Sequence, residues 1–160
     1  MAPIRESIRA RDQYLRELGR ATYNFAYVEW GIVWLAETLE PGVLSEAQTL
    51  TAGQIAQRFS RAVERVPVSE PDQSKLAELA RGFLGLVEER NRLIHGNPFT
   101  AANGEQRLFY SGKHGRKDWT EKLMQQFSDD AATLGSAAGR LLHGGRYAQW
   151  KDVSGRQPTA

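Results

Sequence analysis

The 160-residue chain contains no cysteine. That removes disulfide frameworks, thiolate catalysis and Cys-ligated zinc. Histidine is scarce too: His95, His114 and His143 are the three, and they are scattered without metal-ligand spacing. No run approaches the ~18 apolar residues of a membrane span. The opening M-A-P-I-R-E-S-I-R lacks the apolar core of a secretory signal. Neither a Gly-rich phosphate loop nor a nucleophile elbow is present. These absences lead to the expectation of a cytoplasmic protein with no metal, no cofactor and no membrane partner. Charge of one sign is also missing. Lys and Arg number 21 against 19 Asp and Glu, which permits an anionic partner without demanding one.

What is present is helical periodicity in a chain of single-domain length. The first segment, from about Ser7 to Glu40, places Leu15, Leu18, Thr22, Phe25, Glu29, Ile32, Ala36 and Leu39 at alternating steps of three and four. A second line, Tyr14, Ala21, Val28 and Leu35, repeats every seven, and Trp30, Val33 and Trp34 widen the apolar face. Glu29 is a carboxylate in the apolar seam. It either finds a partner inside or turns to water. T-A-G-Q at Thr51 fits a capping box for a second helix. That helix has an apolar line through Ile55, Phe59, Val63 and Val66, and a basic stripe of Arg58, Arg61 and Arg65. After a linker from Pro67 to Pro71, a third helix runs to His95 on the seam Leu76, Leu79, Phe83, Leu86, Arg90 and Leu93. Arg90 thus holds a seam position in its helix as Glu29 does in the first. Pairing the two would remove both anomalies.

Helical period is lost from Asn97 to about Asp118. Phe99 to Ser111 around Asn103-Gly104 reads as a β-hairpin. Gly112 to Lys117 reads as a basic, flexible tip. Arg107, Lys113, Arg116 and Lys117 beside Phe109 and Tyr110 form a cation–aromatic patch that suits single-stranded nucleic acid, and equally an ordinary solvated loop. The fourth helix spans about Trp119 to His143, with Gly144-Gly145 as its stop. Tyr147 and Trp150 are placed to dock back, and residues 151–160 read as a flexible tail. The expected fold class is all-α: a four-helix bundle with a β-hairpin or long-loop insertion between the third and fourth helices, all in one domain of residues 1–150.

The most distinctive stretch is E-E-R-N-R-L-I-H-G-N-P, Glu88 to Pro98. His95 followed by Gly96 and Pro98 is a good helix stop, and Leu142-His143-Gly144 repeats that pattern elsewhere. Arg90 and Asn91 add chemistry. Asn91 lies four residues before His95, on the same helix face. An imidazole moves protons near neutral pH, a guanidinium forks onto phosphate and an amide positions either.

R-N-R-L-I-H near a helix end resembles the Arg-x4-His signature of HEPN domains. The resemblance implies a helical, commonly homodimeric domain and a metal-independent endoribonuclease acting on RNA. Relatives of this kind work in toxin–antitoxin or defence systems. It further implies that Arg90 holds the scissile phosphate, Asn91 supports it and His95 is the acid–base residue. Motifs from two subunits would meet at the dimer interface. Glu29 is the candidate carboxylate from another helix, on spacing alone. Arg107, Lys113, Arg116 and Lys117 are the candidate substrate contacts. Family members modified by a nucleotidyltransferase antitoxin carry Tyr two residues past the His; that position is Asn97 here. An antitoxin or regulatory protein is the implied protein partner. The alternative is a non-catalytic HEPN-like module that binds a protein partner or nucleotide, with Arg90 neutralised by Glu29 and His95 a cap.

Overall fold

The computed structural model describes residues 10–68 and 71–144. Tyr147, Trp150, the tail from 151 and the linker residue Ser69 lie outside the described residues. The elements in chain order are α1 (Asp12–Leu39), α2 (Val43–Glu46), a 3-10 turn (Ala47–Thr49), α3 (Ala52–Arg65), α4 (Asp72–Ile94), β1 (Asn97–Thr100), β2 (Gln106–Gly112), β3 (Gly115–Trp119) and α5 (Glu121–His143). Among the described residues no helix is long and apolar enough to cross a membrane.

The all-α, four-helix-bundle expectation is corrected on two counts. First, the segment between α4 and α5 is a three-stranded antiparallel sheet in the order β1-β2-β3. Its first hairpin is the expected one, with Asn97 opposite Phe109 and Thr100 opposite Gln106. The second, expected as a flexible tip, is a paired hairpin. Gly112 pairs with Gly115 across Lys113-His114, and Leu108 pairs with Trp119. Gly104 and Gly115 each take a left-handed φ at the end of their turn, the position that suits glycine after a type I turn. Trp119, expected to open the last helix, closes β3 instead and is fully buried.

Second, α1 and α5 run parallel. Tyr14 meets Trp119 at one end. Asn24 Nδ2 donates to Ser128 Oγ at 2.7 Å midway, and Gly31 faces Ala138 at the other end. α4 already ends at the Tyr14 end of α1, where Gly96 and Tyr14 both meet Leu108, so α5 begins beside the start of α1 and runs along it in the same direction. α4 runs antiparallel to α5, with Gly82 against Leu134 and Glu89 held by Lys117 just before α5 starts.

Local signals hold at several ends. The Thr51 capping box forms: Gln54 N–H donates to Thr51 Oγ1 at 3.3 Å and Thr51 N–H to Gln54 Oε1 at 2.8 Å. In α1 the buried line is the seven-residue repeat Tyr14, Ala21, Val28 and Leu35, joined by Phe25, Ile32, Ala36 and Leu39. Leu15 and Thr22 of the expected seam are exposed. At the centre, Phe25 stacks on Phe83 (ring centroids 6.0 Å apart) and Phe127 (6.2 Å), joining α1, α4 and α5. Such pairs add about 0.5–1.5 kcal/mol each beyond their burial.

Candidate functional site

α4 ends where the sequence says it should. His95 is its C-cap, with its backbone N–H bonded to Asn91 and Leu93 carbonyls. Gly96 then turns into β1. Its φ is not left-handed; a close approach requires the glycine. A Cβ there would sit 3.1 Å from Leu108 Cβ and 3.2 Å from the Leu93 carbonyl oxygen. Leu108 itself is anchored, because its N–H donates at 2.8 Å to the Tyr14 hydroxyl, which donates onward to the Trp119 carbonyl at 2.9 Å. This chain of contacts places His95 at the junction of helix and sheet, with its side chain exposed to solvent.

Arg90 lies one turn earlier and half-buried. Its Nη1 donates to Asn91 Oδ1 at 3.1 Å, and its guanidinium carbon lies 5.5 Å from the centroid of the Phe25 ring. The side chain of a helical residue leans toward the helix N-terminus. Arg90 therefore reaches back toward α1 while His95 stands at the helix end. Among the described residues no hydrogen bond or ring contact joins the two side chains.

Glu29, one turn beyond Phe25 on α1, is also half-buried. Burial raises its carboxyl above the ordinary glutamate value, and the Arg90 charge pulls the other way without prevailing. The expected Glu29–Arg90 relation is thus one of proximity. No ion pair closes within 4.0 Å, and Glu29 holds its proton better than a free glutamate does.

The remaining half-buried arginines differ. Arg58 is held by Glu40 (3.0 Å) and Glu46 (2.5 Å), Arg92 by Glu89 (2.5 Å), and Arg107 by Glu105 (2.5 Å) and Asp118 (2.9 Å). Among the described residues, Arg90 is the half-buried arginine without a carboxylate partner. The arrangement is a partly desolvated guanidinium oriented by an amide, beside a carboxyl biased toward its neutral form. Such a group favours an anion with several oxygens.

The expected substrate patch is divided. Lys117 is taken up by Glu89 and stacks 4.3 Å from the Trp119 ring centroid. Arg107 is taken up as above. Arg116, exposed, lies 5.6 Å over the Phe109 ring, which packs against Phe99 at 5.4 Å. Lys113 is exposed at the turn. The structure therefore leaves two of the four cations open.

The sequence reading missed Glu17. It is 2% exposed on the buried face of α1. Oε1 accepts from Gln13 Nε2 at 2.8 Å. Oε2 lies 3.7 Å from Arg20 Nη1 and has no hydrogen-bond partner. Its position between Tyr14 and Ala21 on the seven-residue line was the available signal. Among the described residues no group of three or more His, Asp or Glu is placed to hold a metal ion. Comparison with known proteins finds no matching family model, no matching curated protein and no matching solved structure.

Proposed function

We propose that the chain is a HEPN-like, metal-independent endoribonuclease that acts on RNA as a homodimer. The observation that carries this reading is the half-buried Arg90 guanidinium. It has no carboxylate partner, an amide that orients it, and an exposed imidazole at the end of the same helix. In this mechanism Arg90 holds the non-bridging oxygens of the scissile phosphate and Asn91 steadies the guanidinium. His95 takes the 2′-hydroxyl proton as O2′ attacks phosphorus. The P–O5′ bond breaks, and His95 of a second copy, in its protonated form, supplies the proton that O5′ requires. The products are a 2′,3′-cyclic phosphate and a 5′-hydroxyl.

The test is cleavage of end-labelled single-stranded RNA by the purified protein in EDTA, beside His95→Ala. Cleavage that falls by about 10²–10⁴-fold in the variant, the scale of general acid–base catalysis, supports the reading. Equal cleavage by both proteins, or none by the wild type across varied RNAs, sinks it.

One observation favours a second reading. Arg90 already has an intrachain seat on Phe25, which suits a non-catalytic module that binds a protein partner or nucleotide. Nucleotide binding that survives His95→Ala, without cleavage, is its signature.

A further inference from the structure

α1 carries two apolar faces. One is the core. The other, Tyr23, Tyr27, Trp30 and Trp34 at steps of four, three and four, is exposed by 72%, 68%, 49% and 36%. At 100° per residue these four centre about 150° round the helix from the core line. Beside them lies a hollow of about 450 Å³ between α1 and α5, walled by Tyr27, Trp30, Trp34 and Leu142 and floored by Gly135 and Gly139. Aromatic side chains bury 150–250 Å² each, so at these exposures the four leave on the order of 500 Å² of aromatic surface open. That is at the upper end of a monomer's largest patch. It is also more than half of the ~800 Å² that each partner brings to a standard interface.

We propose that this face binds a second copy of the chain, α1 against α1 in antiparallel register about a two-fold axis between Tyr27 and Trp30. The sequence of the stripe is self-complementary in that register. Tyr27 faces Trp30 of the other copy, and Tyr23 faces Trp34. One turn further out, Arg20 faces Glu37, so the cationic end of each stripe meets the anionic end of the other. The Arg20 side chain is 58% exposed, as suits a rim residue, and its 3.7 Å contact to Glu17 is not a hydrogen bond. Glu37 spends Oε2 on the amides of Gly42 and Leu44 and retains Oε1. The glycine floor leaves room for the partner's rings to enter the hollow. Such isologous contacts bury the same patch twice and close on themselves.

This inference does not rest on the ribonuclease reading. Glu29 lies about 130° round α1 from the stripe at 100° per residue, so the contact leaves Glu29, Arg90 and His95 uncovered. It is separate from the apposition of motifs that the ribonuclease reading requires.

The absence of cysteine makes a register-specific test direct. Tyr23→Cys and Trp34→Cys are prepared in the full-length chain and oxidised separately and as a mixture. A disulfide-linked dimer in the mixture, and little in either variant alone, is expected, because like positions are 11 residues out of register, roughly 16 Å along a helix. Adding Tyr27→Glu to both cysteine variants is expected to weaken that cross-linking by about 30-fold, the scale of an interfacial hot spot, with an unchanged circular dichroism spectrum. A wild-type monomer at high micromolar concentration overturns the proposal. So does cross-linking of Tyr23→Cys with itself, or cross-linking in the mixture unaffected by Tyr27→Glu.

Discussion

The guanidinium of Arg90 rests over the ring of Phe25, 5.5 Å from its centroid. This ties the residue of greatest functional interest on α4 to the aromatic centre that α1, α4 and α5 share. The contact orients the fork without neutralising it. Arg90→Lys retains the charge but loses both the fork and the flat stacking surface. Under the ribonuclease reading, RNA cleavage falls by about 10²–10³-fold, as for loss of one charge-stabilising donor, while the melting temperature changes little. Paired cleavage assays and thermal melts check this; near-wild-type cleavage would remove Arg90 from the chemistry.

Glu29 gives the fold a pH dependence of known sign. Its carboxyl is raised in the folded state, first by burial, with Arg90 opposing. The folded chain therefore binds the proton more tightly than the unfolded chain. Its contribution to stability is fully present below the ordinary glutamate range and is lost as pH rises through the raised value. Glu29→Gln keeps the shape and removes the titration. The variant is expected to gain on wild type above that window, by about 1 kcal/mol or less because solvent reaches part of the carboxyl. Urea unfolding across pH 4 to 8 (about the span of interest for a raised carboxyl) reads the difference; parallel curves would refute it.

Tyr14 joins the sheet to α1 through one oxygen. It donates to the Trp119 carbonyl and accepts from the Leu108 amide. Tyr14→Phe strands both backbone groups in a buried place and is expected to cost about 1–3 kcal/mol. Hydrogen exchange should then speed up at the Leu108 amide more than at amides in the middle of α3.

The cations of the sheet divide into two classes, and the two classes give different outcomes. Lys113→Ala with Arg116→Ala removes open charge. It is expected to weaken RNA binding and to lower the salt slope by about 1.4, from ~0.7 per phosphate contact on a single strand. Arg107→Ala instead leaves Asp118 without its cation and Glu105 with Arg11 alone. Its effect should appear in unfolding midpoints before it appears in RNA titrations. Equal salt slopes for all three proteins would show that the sheet does not meet the backbone of RNA.

Helix positions were legible because each rests on short-range rules. Thr51 and Gln54 cap their own helix, Gly96 follows the last turn of α4, and the seams of α1 and α4 repeat at three and four. The motif Arg90, Asn91 and His95 was legible for the same reason, since its spacing lies within two turns. The first hairpin could be read from Asn103-Gly104. The second could not, because Lys113-His114 is not a strong turn pair and β3, Gly-Arg-Lys-Asp-Trp, has one buried side chain at its end.

By itself the sequence determined the four long helices, their ends to within a few residues and which residue types cluster at the end of α4, all consequences of local backbone geometry and side-chain spacing; the short α2, the 3-10 turn and the strand at Trp119 carry no such signal. The tertiary structure alone decided the rest. It placed Trp119 under Lys117 and α1 parallel to α5, and it set Lys117 against Glu89 of α4 and Arg107 against Asp118 of the next strand. It left Arg90 over Phe25 near a Glu29 whose carboxyl burial raises above its ordinary value, and it turned four aromatic side chains of α1 outward. Each of those outcomes depends on which surfaces meet across the chain, and burial, charge pairing and proton affinity are properties of such meetings.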